Sequence, residues 1–173
     1  MNQKEIIINN IISRRSIRKY TEQVVSEENV NTIIKAGMYA PSAVNKQPWH
    51  FVVFKEQKTF EQITSLHPNG QMLAKASKAI LVCGDKNLAH AEGYIPCDCS
   101  AATQNMLLTA HALGLGAVWI GIYPRDARIE GLKKIFNLPE HIIPFSIISL
   151  GYPNETKDTP DRFKPDRIHY ERW

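Results

Sequence analysis

From Cys99 to Pro124 the chain runs without a single aspartate, glutamate, lysine or arginine. Residues 99–113 place Ala101, Ala102, Met106, Leu107, Leu108, Ala110 and Leu113 on nearly every side of a helix. A helix that is apolar all round belongs inside a core or against another chain. A chain of 173 residues offers few places to hide one alone, so the segment predicts a homodimer interface. Thr103, Gln104, Asn105 and the following glycines argue against a membrane span, and no stretch reaches the ~18 apolar residues that crossing a bilayer requires. Gly114-Leu115-Gly116 stops the helix, and residues 117–122 read as a strand.

The other elements follow from spacing and caps. Ile7, Ile8, Ile11 and Ile12 form one stripe of a helix over residues 4–13. Ser26 is the expected N-cap of a helix reaching about Tyr39, with Glu27 and Glu28 in its first turn. Residues 49–54, 79–84 and 142–152 read as strands, the last with Pro144 near its start. Residues 56–65 and 70–77 read as short helices, and 125–136 as a longer one closed by Asn137-Leu138-Pro139. Pro153–Trp173 holds ten charges and three prolines, but Phe163, Ile168, Tyr170 and Trp173 are apolar anchors. They predict an extended arm laid across another surface. The order of elements implies a layered α/β or α+β arrangement with a sheet covered by helices.

Lysine and arginine exceed aspartate and glutamate by 21 to 17, a net charge of +4. That balance favours an anionic ligand and is too small to argue for nucleic acid. A hydrophobic fraction of 43% with 22% charge is that of a globular protein, which excludes disorder and collagen. Cys83, Cys97 and Cys99 lack the spacing of a disulfide framework, and the amino terminus lacks a signal-peptide core, so a reducing cytoplasm is the expected setting. Reduced, partly buried thiols are the default reading. A zinc or redox pair at Cys97 and Cys99 would need a second Cys/His pair, which is not nearby.

Two segments can carry chemistry. Arg14-Arg15-Ser16-Ile17-Arg18 sets three guanidiniums and a hydroxyl within five residues, a donor set matched to phosphate oxygens. Alone it reads first as a solvated basic loop; a nucleic-acid patch would bring interleaved aromatics that are absent. Pro41-Ser42-Ala43-Val44-Asn45-Lys46-Gln47-Pro48 is stiffened by proline at both ends and presents Ser42, Asn45 and Gln47. Such a loop suits a planar heterocycle with an amide-like edge, or is simply a turn before a strand. Gly114-Leu115-Gly116 lacks the third glycine and the strand-to-helix context of a dinucleotide fingerprint. Neither a Walker A, an HExxH nor a GxSxG motif is present. Histidines 50, 67, 90, 111, 141 and 169 have no metal spacing, and His50 and His111 read as structural.

Taken together, these segments resemble the FMN-dependent nitroreductase family. Arg14–Tyr20 resembles its amino-terminal basic motif, Pro41–Phe51 its PSxxNxQPWxF loop, and Leu113–Gly121 its helix-to-strand segment. Gly151-Tyr152-Pro153, Arg162-Phe163 and His169–Trp173 resemble the tail of short members. The likeness covers nearly the whole chain, in the family's order.

The resemblance implies an α+β fold over residues 1–173 as one unit. Helices flank a central, mainly antiparallel sheet, and the homodimer exchanges its C-terminal arms and binds FMN at the interface. By analogy, Arg14 and Arg162 would contact the FMN phosphate, Arg15 and Ser16 the phosphate or ribityl chain, and Arg18 the pyrimidine edge. Pro41, Ser42, Ala43, Asn45 and Gln47 would line the site, the loop coming from the partner chain, with Ile120 and Gly121 at the isoalloxazine.

NAD(P)H would pass a hydride to flavin N5 and an electron-poor acceptor would follow in a ping-pong order, with no protein nucleophile or base. Two departures stand out. The short 85–96 segment leaves no room for the helical excursion of larger members, and Pro160 and Asp161 stand where a second tail cation would precede Arg162. A specialised reductive dehalogenase-type member, a flavin-carrying regulatory protein without turnover and a flavin-free basic dimer are the alternatives.

Overall fold

The computed structural model describes residues 2–173. In chain order the elements are α1 (Gln3–Ser13), α2 (Glu27–Met38), β1 (Trp49–Phe54), α3 (Gln57–Leu66), β2 (Lys78–Asp85), α4 (Ile95–Ala112), β3 (Gly116–Gly121), α5 (Asp126–Phe136) and β4 (Ile142–Gly151). The strands form one sheet in the order β1-β2-β4-β3, and every pairing is antiparallel.

Both faces of the sheet are covered, which is why β2 is buried at all eight positions. Alternate residues of a strand point to opposite faces. Ile80 and Val82 accordingly pack with Val30, Ile33, Met106 and Leu107 of α2 and α4, whereas Ala79, Leu81 and Cys83 pack with Phe60, Ile63 and Leu132 of α3 and α5. Pro144 is tolerated in β4 because the ladder shifts register between Val82 and Cys83, opposite it.

Local signals explain most boundaries. The Ser26 hydroxyl accepts the Asn29 N–H at 3.1 Å and starts α2. Asn2 and Glu5 form a reciprocal capping box on α1, and left-handed Asn137 ends α5.

Three expectations change. The helix begins at Ile95, four residues before Cys99, and so takes in Asp98, because Pro96 is tolerated in a first helical turn. Its own α2 and the sheet cover one side, leaving Cys97, Gln104 and Ala112 exposed and Ala101, Asn105, Leu108 and Thr109 half-buried. Residues 68–75 are a 3-10 segment rather than a helix over 70–77. Finally, the root of the arm lies along the chain's own surface, where Tyr20 bridges Pro153 and the Asn154 N–H donates to the Lys19 carbonyl at 2.9 Å. Beyond it, Phe163, Tyr170 and Trp173 are exposed.

Candidate cofactor site

The basic turn after α1 is fastened from two sides. On the sheet side, Ser16 bridges Ala117 in parallel and the Ile17 N–H donates to the Ala117 carbonyl at 3.0 Å. Gly116 makes this approach possible, since a Cβ there would stand 2.6 Å from Ile17. The Tyr20 hydroxyl donates to the Ile17 carbonyl at 2.8 Å and accepts from Ser149 at 2.6 Å, and burial pushes its pKa up to about 12.

On the outer side, the Glu155 carboxylate accepts the N–H groups of Arg18 and Lys19 at 2.6 and 3.2 Å. Those bonds, first of all the one from Arg18, hold it below the usual carboxylate range. The Lys157 ammonium donates to the Ser16 carbonyl at 2.7 Å.

The turn therefore presents its cations to three clefts, the widest of them, about 910 Å³, taking Arg18 and Lys19 together with Glu22 and Glu155. Arg14, Arg15 and Arg162 share one of about 610 Å³ with Ile11, Ile12, Phe163 and one carboxylate, Asp161. Arg15 is anchored through Nε to the Asp158 carbonyl at 2.8 Å and through Nη1 to the carbonyls of Ile12 and Arg14 at 2.8 and 2.6 Å. Its Nη2 is buried and has no hydrogen-bond partner among the described residues. Burial, then Arg15, then Arg162 push the Arg14 pKa down. Three guanidiniums against the single carboxylate of Asp161, with an orphaned donor, still favour an anion, because a buried unpaired donor is costly. His111, which bonds Ser13 at 2.8 Å, also feels this field: burial, then Arg14 and Arg15, depress its pKa.

Arg18 faces a second cleft of about 550 Å³ with Trp119, Ile120, Gly121, Asn69 and Gln71. Its described lining includes Arg128 but no carboxylate. The Gly121 carbonyl accepts from His67 Nε2 at 2.9 Å and from Arg128 Nη1 at 2.8 Å. A carbonyl can only accept, so Nε2 carries the proton.

The loop after α2 is strained and self-bonded. Val44, Asn45 and Gln47 have φ of 50°, 54° and 50°, a left-handed conformation costly to residues other than glycine. Ser42 Oγ accepts the Gln47 N–H, Asn45 Oδ1 accepts from Gln47 Nε2, and buried Asp98 accepts the Ala43 N–H, all at 2.9 Å. Within one chain, Pro41, Ser42, Ala43, Asn45 and Gln47 line none of these clefts.

Sequence reasoning therefore finds Arg14, Arg15, Arg18, Ile120, Gly121 and Arg162 at the clefts and misses Asn69, Gln71, His67 and Arg128. Pro68-Asn69-Gly70 was a turn signal that could have marked the first of these. His50 pairs with Asp85 at 3.3 Å, a structural contact. Cys97 is exposed and Cys99 buried on different sides of α4. Among the described residues, no three metal-ligating side chains cluster and no helix is long and apolar enough to cross a membrane.

The antiparallel sheet, covered on both faces, thus sets a cationic cleft beside β3, and chains of known structure share this architecture. A "Putative NADH dehydrogenase/NAD(P)H nitroreductase" structure from Bacteroides thetaiotaomicron superposes with a TM-score of 0.93 at 38% identity, covering 97% of this chain and 98% of the other. Residues 11–92 and 60–152 match the Nitroreductase family, and the chain belongs to it. A relative of the same description in Methanothermobacter thermautotrophicus is 50% identical over 167 residues, 96% of this chain and 87% of the relative. An "FMN-dependent Nitroreductase" from Clostridium difficile has a TM-score of 0.89 at 27% identity, covering 96% of this chain and 99% of the other.

Proposed function

We propose that this chain is an FMN-dependent NAD(P)H oxidoreductase for electron-poor acceptors such as nitroaromatics, quinones and enones. The reading sees residues 1–173 as one unit working as a homodimer. The observation that carries it is the single fastened turn that aims Arg14 and Arg15 into one cleft and Arg18 into the next. An elongated ligand with a phosphate at one end and a polar heterocycle at the other suits that arrangement. The orphaned Arg15 Nη2 fits the phosphate end, and the carboxylate-free slot fits an electron-accepting ring.

Arg14 and Arg162 would hold the phosphate, Arg15 and Ser16 the phosphate or ribityl chain, and Arg18 the pyrimidine edge, with Ile120 and Gly121 backing the ring. Asn69 and Gln71 add polar groups to the same slot. Pro41, Ser42, Ala43, Asn45 and Gln47 would come from the second copy, which agrees with their distance from the clefts of their own chain.

When bound, FMN supplies the chemistry by taking a hydride from NAD(P)H and passing electrons to an acceptor. The protein binds, orients and tunes; no side chain is assigned as nucleophile or base. A guanidinium at the pyrimidine edge favours the more negative, reduced state. The reductant and acceptor use the same slot in turn, which gives ping-pong order.

Support for the dimer comes from α1, which has no buried residue and leaves Ile6, Ile7, Ile8, Ile11 and Ile12 between 44% and 56% exposed. The arm adds exposed Phe163, Tyr170 and Trp173. The test is the absorbance spectrum of the purified protein, aerobic and then anaerobic with NADH or NADPH. A flavin band that bleaches with either nucleotide is expected. A colourless monomer indifferent to added FMN overturns the reading, and a band that never bleaches overturns the turnover.

A further inference from the structure

Arg128 has no role in the assignments above, yet it lines the cleft of Arg18, Ile120 and Gly121. Its Nη1 donates to the Gly121 carbonyl at 2.8 Å. That carbonyl is itself fixed by His67, which is 3% exposed. The guanidinium is thus pinned through a buried ring to the end of β3. Arginine carries five N–H donors on a rigid plane, and this anchor uses one.

Among the described residues, no carboxylate pairs with Arg128 within 4.0 Å. Burial and the neighbouring Arg125 hold its pKa below the ordinary value. The half-buried side chain therefore keeps unspent donors in a slot whose other cation, Arg18, arrives from a different element.

We propose that Arg128 is a substrate-side anion anchor, whose guanidinium, pinned to Gly121, receives the carboxylate or phosphate of the molecule that enters the cleft beside bound FMN. The inference rests on the FMN reading above and deepens it. Two sources share this chemistry: a carboxylate-bearing electron-poor acceptor and the phosphates of the nicotinamide dinucleotide.

The test titrates oxidised, FMN-loaded wild-type and Arg128→Gln proteins with benzoate and with its neutral counterpart benzamide, following the flavin absorbance. Wild type should prefer benzoate by roughly 10- to 100-fold, the size of a charge-assisted hydrogen bond, and Arg128→Gln should bind both alike. A second arm measures KM for NADH and NADPH with a neutral nitro acceptor. A KM at least ~10-fold higher in Arg128→Gln assigns the anchor to the dinucleotide phosphates, by the same bond strength.

Arg128→Lys keeps the charge without the plane and should recover part of either effect, which separates anchoring from misfolding. The proposal is overturned if benzoate and benzamide bind wild type equally while both KM values stay unchanged in Arg128→Gln. It is equally overturned if Arg128→Gln instead loses FMN affinity, since the guanidinium then serves the cofactor. A wild-type protein that retains no FMN removes the underlying reading as well, and its lack of colour tells that failure from the others.

Discussion

Arg14 and Arg18 are four residues apart, but they face different clefts, so their removal should read out differently. Arg18→Ala should lower the two-electron potential of bound flavin by about 30–65 mV, the worth of one charge-assisted hydrogen bond. An unchanged potential in the purified variant would remove Arg18 from the ring edge. Arg14→Ala should raise the dissociation constant for FMN roughly 10- to 100-fold and leave the potential alone. Equal affinity by fluorescence titration would show that Arg14 is no phosphate ligand.

The cationic residues were legible in the sequence because guanidinium density is a property of neighbours along the chain. Asn69, Gln71, His67 and Arg128 were not. They reach the slot from the end of α3, a 3-10 segment and α5 through folding alone, and nothing in their spacing joins them to Arg18. Asp98 was legible only as the middle of a cysteine pair. Its contact with Ala43 depends on α4 starting at Ile95.

A residue-scale pH effect follows from His111. Its folded pKa is depressed, so as pH falls below about 6.5 the unfolded chain takes up the proton first. Stability is therefore lost as pH drops through that value toward the lower folded one. His111→Gln should flatten the fall in melting temperature below about pH 6.5; an unaltered profile would show that folded His111 is not held below its ordinary value.

Among the elements, β3 matters most for the site because its first residue lets the basic turn approach. Gly116→Ala would push a Cβ to 2.6 Å from Ile17. A destabilisation of about 1–3 kcal/mol is expected from such crowding, together with weaker FMN retention, because Ile17 lies between Arg14 and Arg18. Thermal melts and cofactor titration with wild-type values would show the turn to be independent of this contact.

On α4 and β2, burial pushes the Cys99 and Cys83 thiols up to about 12, while Cys97 faces solvent. Alkylation near pH 8 followed by mass measurement should give one adduct in the native protein and three in urea.

The order of strands and helices was readable because the core strands are continuous apolar runs bounded by turn residues. How α4 is covered was less legible. Periodicity reports that a helix is buried all round, but not whether its own α2 and sheet or another copy does the covering.

For the molecule as a whole, α1 and the arm carry much of the exposed apolar surface. Replacing Ile8 and Ile12 by Glu should turn a dimer into a monomer in sedimentation velocity and cost it FMN, if the second copy completes the site. A monomeric wild type would refute the assembly. The loop carrying Val44, Asn45 and Gln47 belongs to this scale too, since it meets none of the cationic clefts of its own chain.

The fastening of the basic turn to the arm has a further effect. Glu155 and Lys157 hold Arg18, Lys19 and Ser16 at the root of the strand-like tail that also brings in Arg162. Whatever tugs the tail away must loosen the grip on the prosthetic group, and whatever fills the grip must press the tail down. The two equilibria then share one coupling energy, equal in both directions, so that trimming the tail and losing the flavin should go together.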